Sequence, residues 1–309
     1  MYIKRAIEDT IRQISRTFPV LLVTGPRQVG KTTLLKHLAE PGRKYVTLDD
    51  PAARFLARTD PSLFMQRYHP PVIIDEIQHA PEILPYIKMN VDRSGNKGDF
   101  WLTGSQIFHT MKNVSESLAG RVGIVNLLGL SNSEIDGIPS EPFTASPQRL
   151  LDRTKTAKRA SSAQIYERIF RGGLPALYAD TTINLETFYS SYIDSYLKRD
   201  IRDLIQIADE MSFYKFMLAV AARTAKPVNY DELARDAEIT APTAKRWLSI
   251  LVSSQLVVLL QPYHNNALKR IVKMPLLHFL DTGLCAHLLR WGSPETLERS
   301  AMAGQFFES

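Results

Sequence analysis

The run Val20-Leu21-Leu22-Val23-Thr24-Gly25-Pro26-Arg27-Gln28-Val29-Gly30-Lys31-Thr32-Thr33 constrains the fold more than any other stretch. Four consecutive apolar residues are too few for a helix and fit a strand buried on both faces. The turn after them has the spacing G-x-x-x-x-G-K-[ST], and residues 31–39 read as a helix. Glycine lets such a loop curl so that main-chain N–H groups point inward. The following helix turns its positive end on the same point, so the unit is built to hold phosphate. Gly25, Pro26, Arg27, Gln28, Val29, Gly30, Lys31, Thr32 and Thr33 form the expected contact set. Lys31 reaches the β and γ phosphates, and Thr32 ligates Mg²⁺. Further short apolar runs at 45–48, 72–74, 100–102 and 122–128 alternate with helical or loop segments. That alternation predicts an α/β fold, a parallel sheet with helices on both faces.

Acids follow the third of these strands. Val72-Ile73-Ile74-Asp75-Glu76 ends an apolar run in two carboxylates, and strand C-termini border the crevice where such sheets bind ligands. Asp75 holds Mg²⁺ directly or through water. Glu76 polarises or orients the attacking water as general base. A second pair, Asp49-Asp50, either borders the site or caps a loop. Leu102-Thr103-Gly104-Ser105-Gln106 offers Ser105, and after it Thr103, to sense the γ-phosphate; the alternative is a plain polar strand end. Arg121, in Leu118-Ala119-Gly120-Arg121, either neutralises transition-state charge, in its own chain or a neighbour's, or forms a structural ion pair. Arg27 carries the same ambiguity.

A chain of 309 residues is long enough for two or three domains at roughly 100–200 residues each. Residues 1–138 are the expected nucleotide-binding domain. Residues 139–208 read as a connector and helical lid, rich in Pro, Ser, Thr, Lys and Arg up to 163 and interrupted later at Gly172-Gly173 and Pro175. Residues 209–263 read as a winged helix-turn-helix. A first helix with Phe213, Phe216, Met217 and Val220 inward is broken at Pro227-Val228-Asn229. A second starts at Tyr230, and a third starts after Thr240 with Trp247, Leu248, Leu251 and Val252 as its buried stripe. Residues 256–263 fit a wing strand. Thr243, Lys245, Arg246 and Ser249 include the exposed face of the third helix, placed to contact DNA phosphates or base edges; the alternative is a module that packs against protein. The net charge of +6 is spread along the chain, but between Ile239 and Leu280 five cations (Lys245, Arg246, Lys269, Arg270, Lys273) meet no carboxylate. One cysteine, Cys285, excludes an internal disulfide and reads as a small core residue. His264 and His278 lack ligand spacing, so Mg²⁺ is the only metal expected. No apolar run reaches about 18 residues and the N-terminus is charged throughout, so neither membrane span nor signal peptide is expected, and the cytoplasm is the default location.

Taken together, Gly25 to Leu34, Leu48-Asp49-Asp50-Pro51, Ile74-Asp75-Glu76-Ile77-Gln78, Leu102 to Gln106 and Leu118 to Arg121 resemble the AAA-type ATPases of bacteria and archaea that are coupled to a C-terminal domain of unknown function. Gly172-Gly173-Leu174-Pro175, Tyr196-Leu197-Lys198-Arg199-Asp200 and Asp281-Thr282-Gly283-Leu284 resemble that family's later signatures. The resemblance implies a P-loop core, a winged helix, and a nuclease-like fold of the restriction-endonuclease type. It also supplies the preference for adenine, which the loop itself does not read. Residues 264–309 look like the opening of the nuclease-like part. Glu308 matches its first acidic position, while the later acid and lysine positions are absent, so no nuclease activity is expected. The expectation is an ATP- and Mg²⁺-dependent ATPase that drives its C-terminal module, with ADP as product and DNA or a protein as further partner. The alternative is a nucleotide-gated DNA-binding regulator with little or no hydrolysis.

Overall fold

Ile3, Ile7, Ile11 and Ile14 stand at helical spacing over residues 2–18, but the helix is shorter than that spacing predicts: α1 spans Glu8–Thr17 with Ile11 fully buried, and residues 2–7 are not part of it. The structure is a computed structural model that describes residues 2–104, 117–139, 144–156, 159–196, 210–263 and 274–309. Two compact units result, Met1–Leu130 with Ser253–Leu256, and Ser131–Val252 with Val257–Ser309.

In the first unit α1 leads to β1 (Val20–Thr24) and α2 (Lys31–Leu38), then β2 (Lys44–Thr47), α3 (Pro51–Thr59), α4 (Pro61–Arg67) and β3 (Val72–Asp75). Two 3₁₀ turns, Ile77–His79 and Pro81–Ile83, lead to α5 (Leu84–Ser94), β4 (Phe100–Gly104) and β5 (Val122–Asn126). The strands pair in the order β2-β3-β4-β1-β5, and every pair is parallel. The three inner strands are buried at every residue, as their unbroken apolar runs require, whereas edge strand β5 alternates. Val20, Leu22, Ile74, Phe100 and Leu102 share one core with Phe64 of α4 and Ile87 of α5. Leu21 and Val23 point the other way, toward the face where α1 and α2 pack. Each such side chain contributes about 1.5–3 kcal/mol by burial. The register sets Thr24 beside Gly104 and Ile74 beside Leu102, so the C-terminal ends of β1, β3 and β4 open on one crevice.

The second unit contains α6 (Asn132–Ile135), α7 (Pro147–Thr156), α8 (Ser162–Arg171), α9 (Ala176–Ala179), α10 (Leu185–Tyr196), α11 (Glu210–Ala221), β6 (Lys226–Pro227), α12 (Tyr230–Asp236), α13 (Ala241–Ser253), β7 (Val257–Leu260), β8 (Leu276–Phe279), α14 (Thr282–Leu288), α15 (Pro294–Glu298) and α16 (Ala303–Glu308). Phe213 and Phe216 of α11 meet the Trp247 ring of α13 at centroid distances of 5.2 and 5.6 Å. The strands form an antiparallel sheet in the order β6-β8-β7.

This sheet corrects the boundary expected at 263/264, which falls between two strands that pair with each other. The segment after it is not the start of a separate body in this chain. Tyr166 of α8 donates to the Ala303 carbonyl at 3.0 Å, and Thr282 donates to the Ile169 carbonyl at 2.7 Å. The first unit also ends at Leu130, short of the expected 138.

Asp281 joins two of the three late signatures. Its carboxylate accepts from Leu284 N at 2.7 Å, capping α14, from Gly173 N at 2.8 Å and from the Tyr189 hydroxyl at 2.9 Å. Burial raises its pKa; the three donors oppose that shift without cancelling it. Asp281→Ala takes the acceptor from two part-buried N–H groups and removes a cap, while the Tyr189 hydroxyl keeps the Arg171 carbonyl. The expected cost is about 3–5 kcal/mol, read as a lower urea midpoint. The pH sign also follows. A carboxyl whose folded pKa lies above its unfolded one stabilises fully below the unfolded value. That contribution is lost as pH rises through the folded one, so Asp281→Asn should flatten this limb.

Candidate functional site

Gly25 follows β1 with φ +150°, and a Cβ there would lie 2.0 Å from the Leu127 carbonyl oxygen, so no other residue fits. Gln28 (φ 61°) and Gly30 (φ 88°) are also left-handed and turn the loop back onto α2. Lys31, only 7% exposed, opens that helix. Its Nζ donates to the Gly25 carbonyl at 3.0 Å and the Pro26 carbonyl at 2.8 Å, which lays the ammonium across the mouth of the loop. Val29 is buried, Arg27 half-buried, and Gln28 and Thr33 exposed.

Opposite stands Asp75, buried at the end of β3. Thr32 Oγ1 donates to its Oδ1 at 2.8 Å, Thr103 Oγ1 donates to the same oxygen, and the Tyr45 hydroxyl donates to Oδ2 at 3.0 Å. Three hydroxyls from α2, β4 and β2 therefore converge on one carboxylate, a donor set suited to a hard divalent cation such as Mg²⁺. Burial, then the neighbouring Asp75, push the Tyr45 phenol up to about 12, so it stays a donor at neutral pH. The Lys36 ammonium lies 3.5 Å above the Tyr45 ring. Glu76 adopts a left-handed φ of 58°, a strain that non-glycine residues carry mostly at functional sites. Its N–H donates to Thr103 Oγ1 at 3.1 Å, and its Oε2 accepts from Gln78 Nε2.

Gly25 to Thr33, Asp75, Glu76 and Thr103 thus share the crevice end of the sheet. Asp50 caps α3 through the N–H groups of Ala52 and Ala53, and Asp49 lies 3.4 Å from His79. Ser105 lies outside the described residues, as do Lys198 to Asp200, His264, Lys269, Arg270 and Lys273.

Arg121 requires a correction. It immediately precedes β5, and its carbonyl accepts from Val20 N at the start of β1. It therefore sits at the opposite edge of the sheet from the loop, about 13 Å away along a five-residue strand. There its guanidinium pairs with Asp92 at 2.5 Å. Arg121 cannot neutralise charge in its own chain's crevice.

Three residues that the sequence reading does not assign complete the site. Tyr45 and Gln78 are described above. Arg5, 5% exposed, donates to the Val29 carbonyl at 2.9 Å, inside the loop, and to the Leu128 and Gly129 carbonyls at 2.7 and 3.1 Å. Gln78 stands two residues from Glu76 in a recognised run, a signal that was present; Arg5 and Tyr45 had none, because only the tertiary fold brings them in.

In the second unit Lys245, Arg246 and Ser249 are exposed on α13, and Thr243 is half-buried. Cys285 is buried, with burial pushing its thiol pKa far up. Among the described residues no cluster of His, Cys, Asp or Glu is arranged to hold a metal by itself.

The strand order and the phosphate-type loop at the end of β1 define the class: a P-loop α/β domain of the ATPase type. Residues 17–136 match the family model of an AAA domain, and residues 162–295 match that of a domain of unknown function (DUF8612). The chain thus carries an AAA-type P-loop ATPase domain followed by a domain of unknown function. It is 28% identical over 306 residues to the "Uncharacterized protein Mb2031c" of Mycobacterium bovis and, to the same extent, to the "Uncharacterized protein Rv2008c" of Mycobacterium tuberculosis. These matches cover 99% of this chain and 64% of each relative. The structure of the Walker-type ATPase PABY2304 of Pyrococcus abyssi is similar in fold, with a TM-score of 0.54 at 13% identity, covering 93% of this chain and 96% of that one.

Proposed function

We propose that the chain binds ATP with Mg²⁺ and hydrolyses it to ADP and phosphate, driving its C-terminal part. One observation carries the reading: Lys31 at the loop after β1 and the Thr32–Asp75–Thr103 cluster at the ends of β3 and β4 lie at the same end of the sheet, with β4 between β1 and β3. Backbone N–H groups of 25–33 would hold the phosphates, Thr32 and Asp75 the cation, and Glu76 the attacking water. A bound Mg²⁺ would supply neutralisation of phosphate charge. Ser105 keeps its sensing role as a proposal, and Arg121 keeps only a role toward a neighbouring molecule. A cytoplasmic location fits dependence on ATP. No described helix is long and apolar enough to cross a membrane.

The driven part is read as a winged helix. Supporting this is the order α11, β6, α12, α13, β7, β8, with the last two strands paired beside β6. Lys245, Arg246 and Ser249 on α13, with Thr243, would face DNA. Lys269, Arg270 and Lys273 fall in the segment joining β7 to β8. The exposure of Lys245, Arg246 and Ser249 favours the second reading, a nucleotide-gated DNA-binding regulator, over a purely structural module.

Thermal unfolding with ATP, GTP and ADP, with and without Mg²⁺, tests the first reading. A nucleotide at about 100 times its Kd adds about 2.7 kcal/mol, and ATP with Mg²⁺ should shift the transition most. No shift with any nucleotide sinks it. Titration with a fluorescent duplex at two salt concentrations tests the second: binding should weaken steeply at the higher salt. No binding at either concentration removes the DNA reading.

A further inference from the structure

We propose that Gln78 is a positioning residue for Glu76, its amide fixing the carboxylate that acts on the attacking water; this rests on the ATPase reading above. Gln78 lies in the 3₁₀ turn Ile77–His79, directly after Glu76. Its Nε2 donates to Glu76 Oε2. The amide's orientation is set by its partner, because a carboxylate only accepts hydrogen bonds and must meet the NH₂ end. With Oε2 tied, Oε1 is the oxygen left to take a proton from water. The left-handed backbone at Glu76 and the bond from its N–H to Thr103 hold the main chain, and Gln78 holds the side chain.

A second observation points the same way. Gln78 Oε1 is buried, and no hydrogen bond reaches it among the described residues. It lies against Gly104 at the tip of β4. A Cβ on Gly104 would come within 2.9 Å of that oxygen and 3.3 Å of Ile77 Cγ2. Gly104 is not left-handed, so its backbone does not demand glycine. What demands it is the room that the Gln78 amide occupies. The tip of β4, Gln78 and Glu76 thus form a short mechanical series next to Asp75. A buried carbonyl oxygen without a hydrogen bond costs stability, and such groups are retained mainly where they serve a role.

Steady-state hydrolysis by the full chain tests this with Gln78→Met, Gln78→Glu and Gly104→Ala, nucleotide affinity being measured alongside. Methionine keeps the volume and loses the donor; glutamate keeps the shape and sets a like charge beside Glu76. Gly104→Ala leaves Gln78 in the sequence and pushes its amide aside. Each should lower kcat about 10²-fold, the scale of a misplaced catalytic group, with KM for ATP within about threefold of the parent. A purely packing role would leave Gln78→Met at the parent kcat, and that result overturns the proposal. So does a KM that rises while kcat holds. A parent that binds ATP and does not turn it over removes the ATPase reading and this role with it. A parent that turns over while Gln78→Met matches it removes the role alone.

Discussion

Lys31→Ala abolishes detectable nucleotide binding while the chain stays folded: that is the expected result of largest size. The ammonium lies across the Gly25 and Pro26 carbonyls, at the mouth of the curled loop. A charge-assisted hydrogen bond contributes about 1.5–3 kcal/mol, and bonds to both the β and γ phosphates together amount to a loss of about 10²- to 10⁴-fold in affinity. The stability cost is small by comparison, because the two loop carbonyls it leaves can turn to water. Titration with a fluorescent ATP analogue reads the affinity, and circular dichroism checks the fold. Should the variant bind as tightly as the parent, the loop is not the nucleotide site.

Glu76→Gln separates binding from chemistry. Glutamine keeps the volume, still accepts from Gln78 Nε2, and leaves the Thr103 bond to the main chain untouched. It cannot take a proton from water. Affinity should stay within about twofold, and phosphate release should fall about 10²- to 10⁴-fold, the usual contribution of a positioned base. Single-turnover release of phosphate measures it. Parent-like release from the variant would mean that another group activates the water.

Much of this architecture was legible locally. The strands of the parallel sheet announce themselves as short apolar runs because inner strands hide both faces, and the loop's glycines announce its curl. Local signals end where register begins. In isolation Arg121 reads either as a charge neutraliser or as half of a structural ion pair. Yet it precedes a strand of a parallel sheet, and such a residue lies at the edge opposite the crevice; the pairing of Val20 with Val122 makes this plain. Thr103, named second after Ser105, shows the same limit. Both follow β4's apolar run, and only the side-by-side placement of β3 and β4 sets the Thr103 hydroxyl on Asp75. In the second unit the helices were legible from their stripes, but β8 closes its sheet from beyond a connection whose length hides the pairing.

Arg5 has a practical consequence. Its guanidinium ties the phosphate-binding loop at Val29 to Leu128 and Gly129, just before the chain leaves the first unit after Leu130. The loop's shape is thus braced from outside its own motif, by Arg5, which precedes any helix. A shortened version trimmed back to α1, however tidy by secondary structure, discards that brace and frees both ends it held.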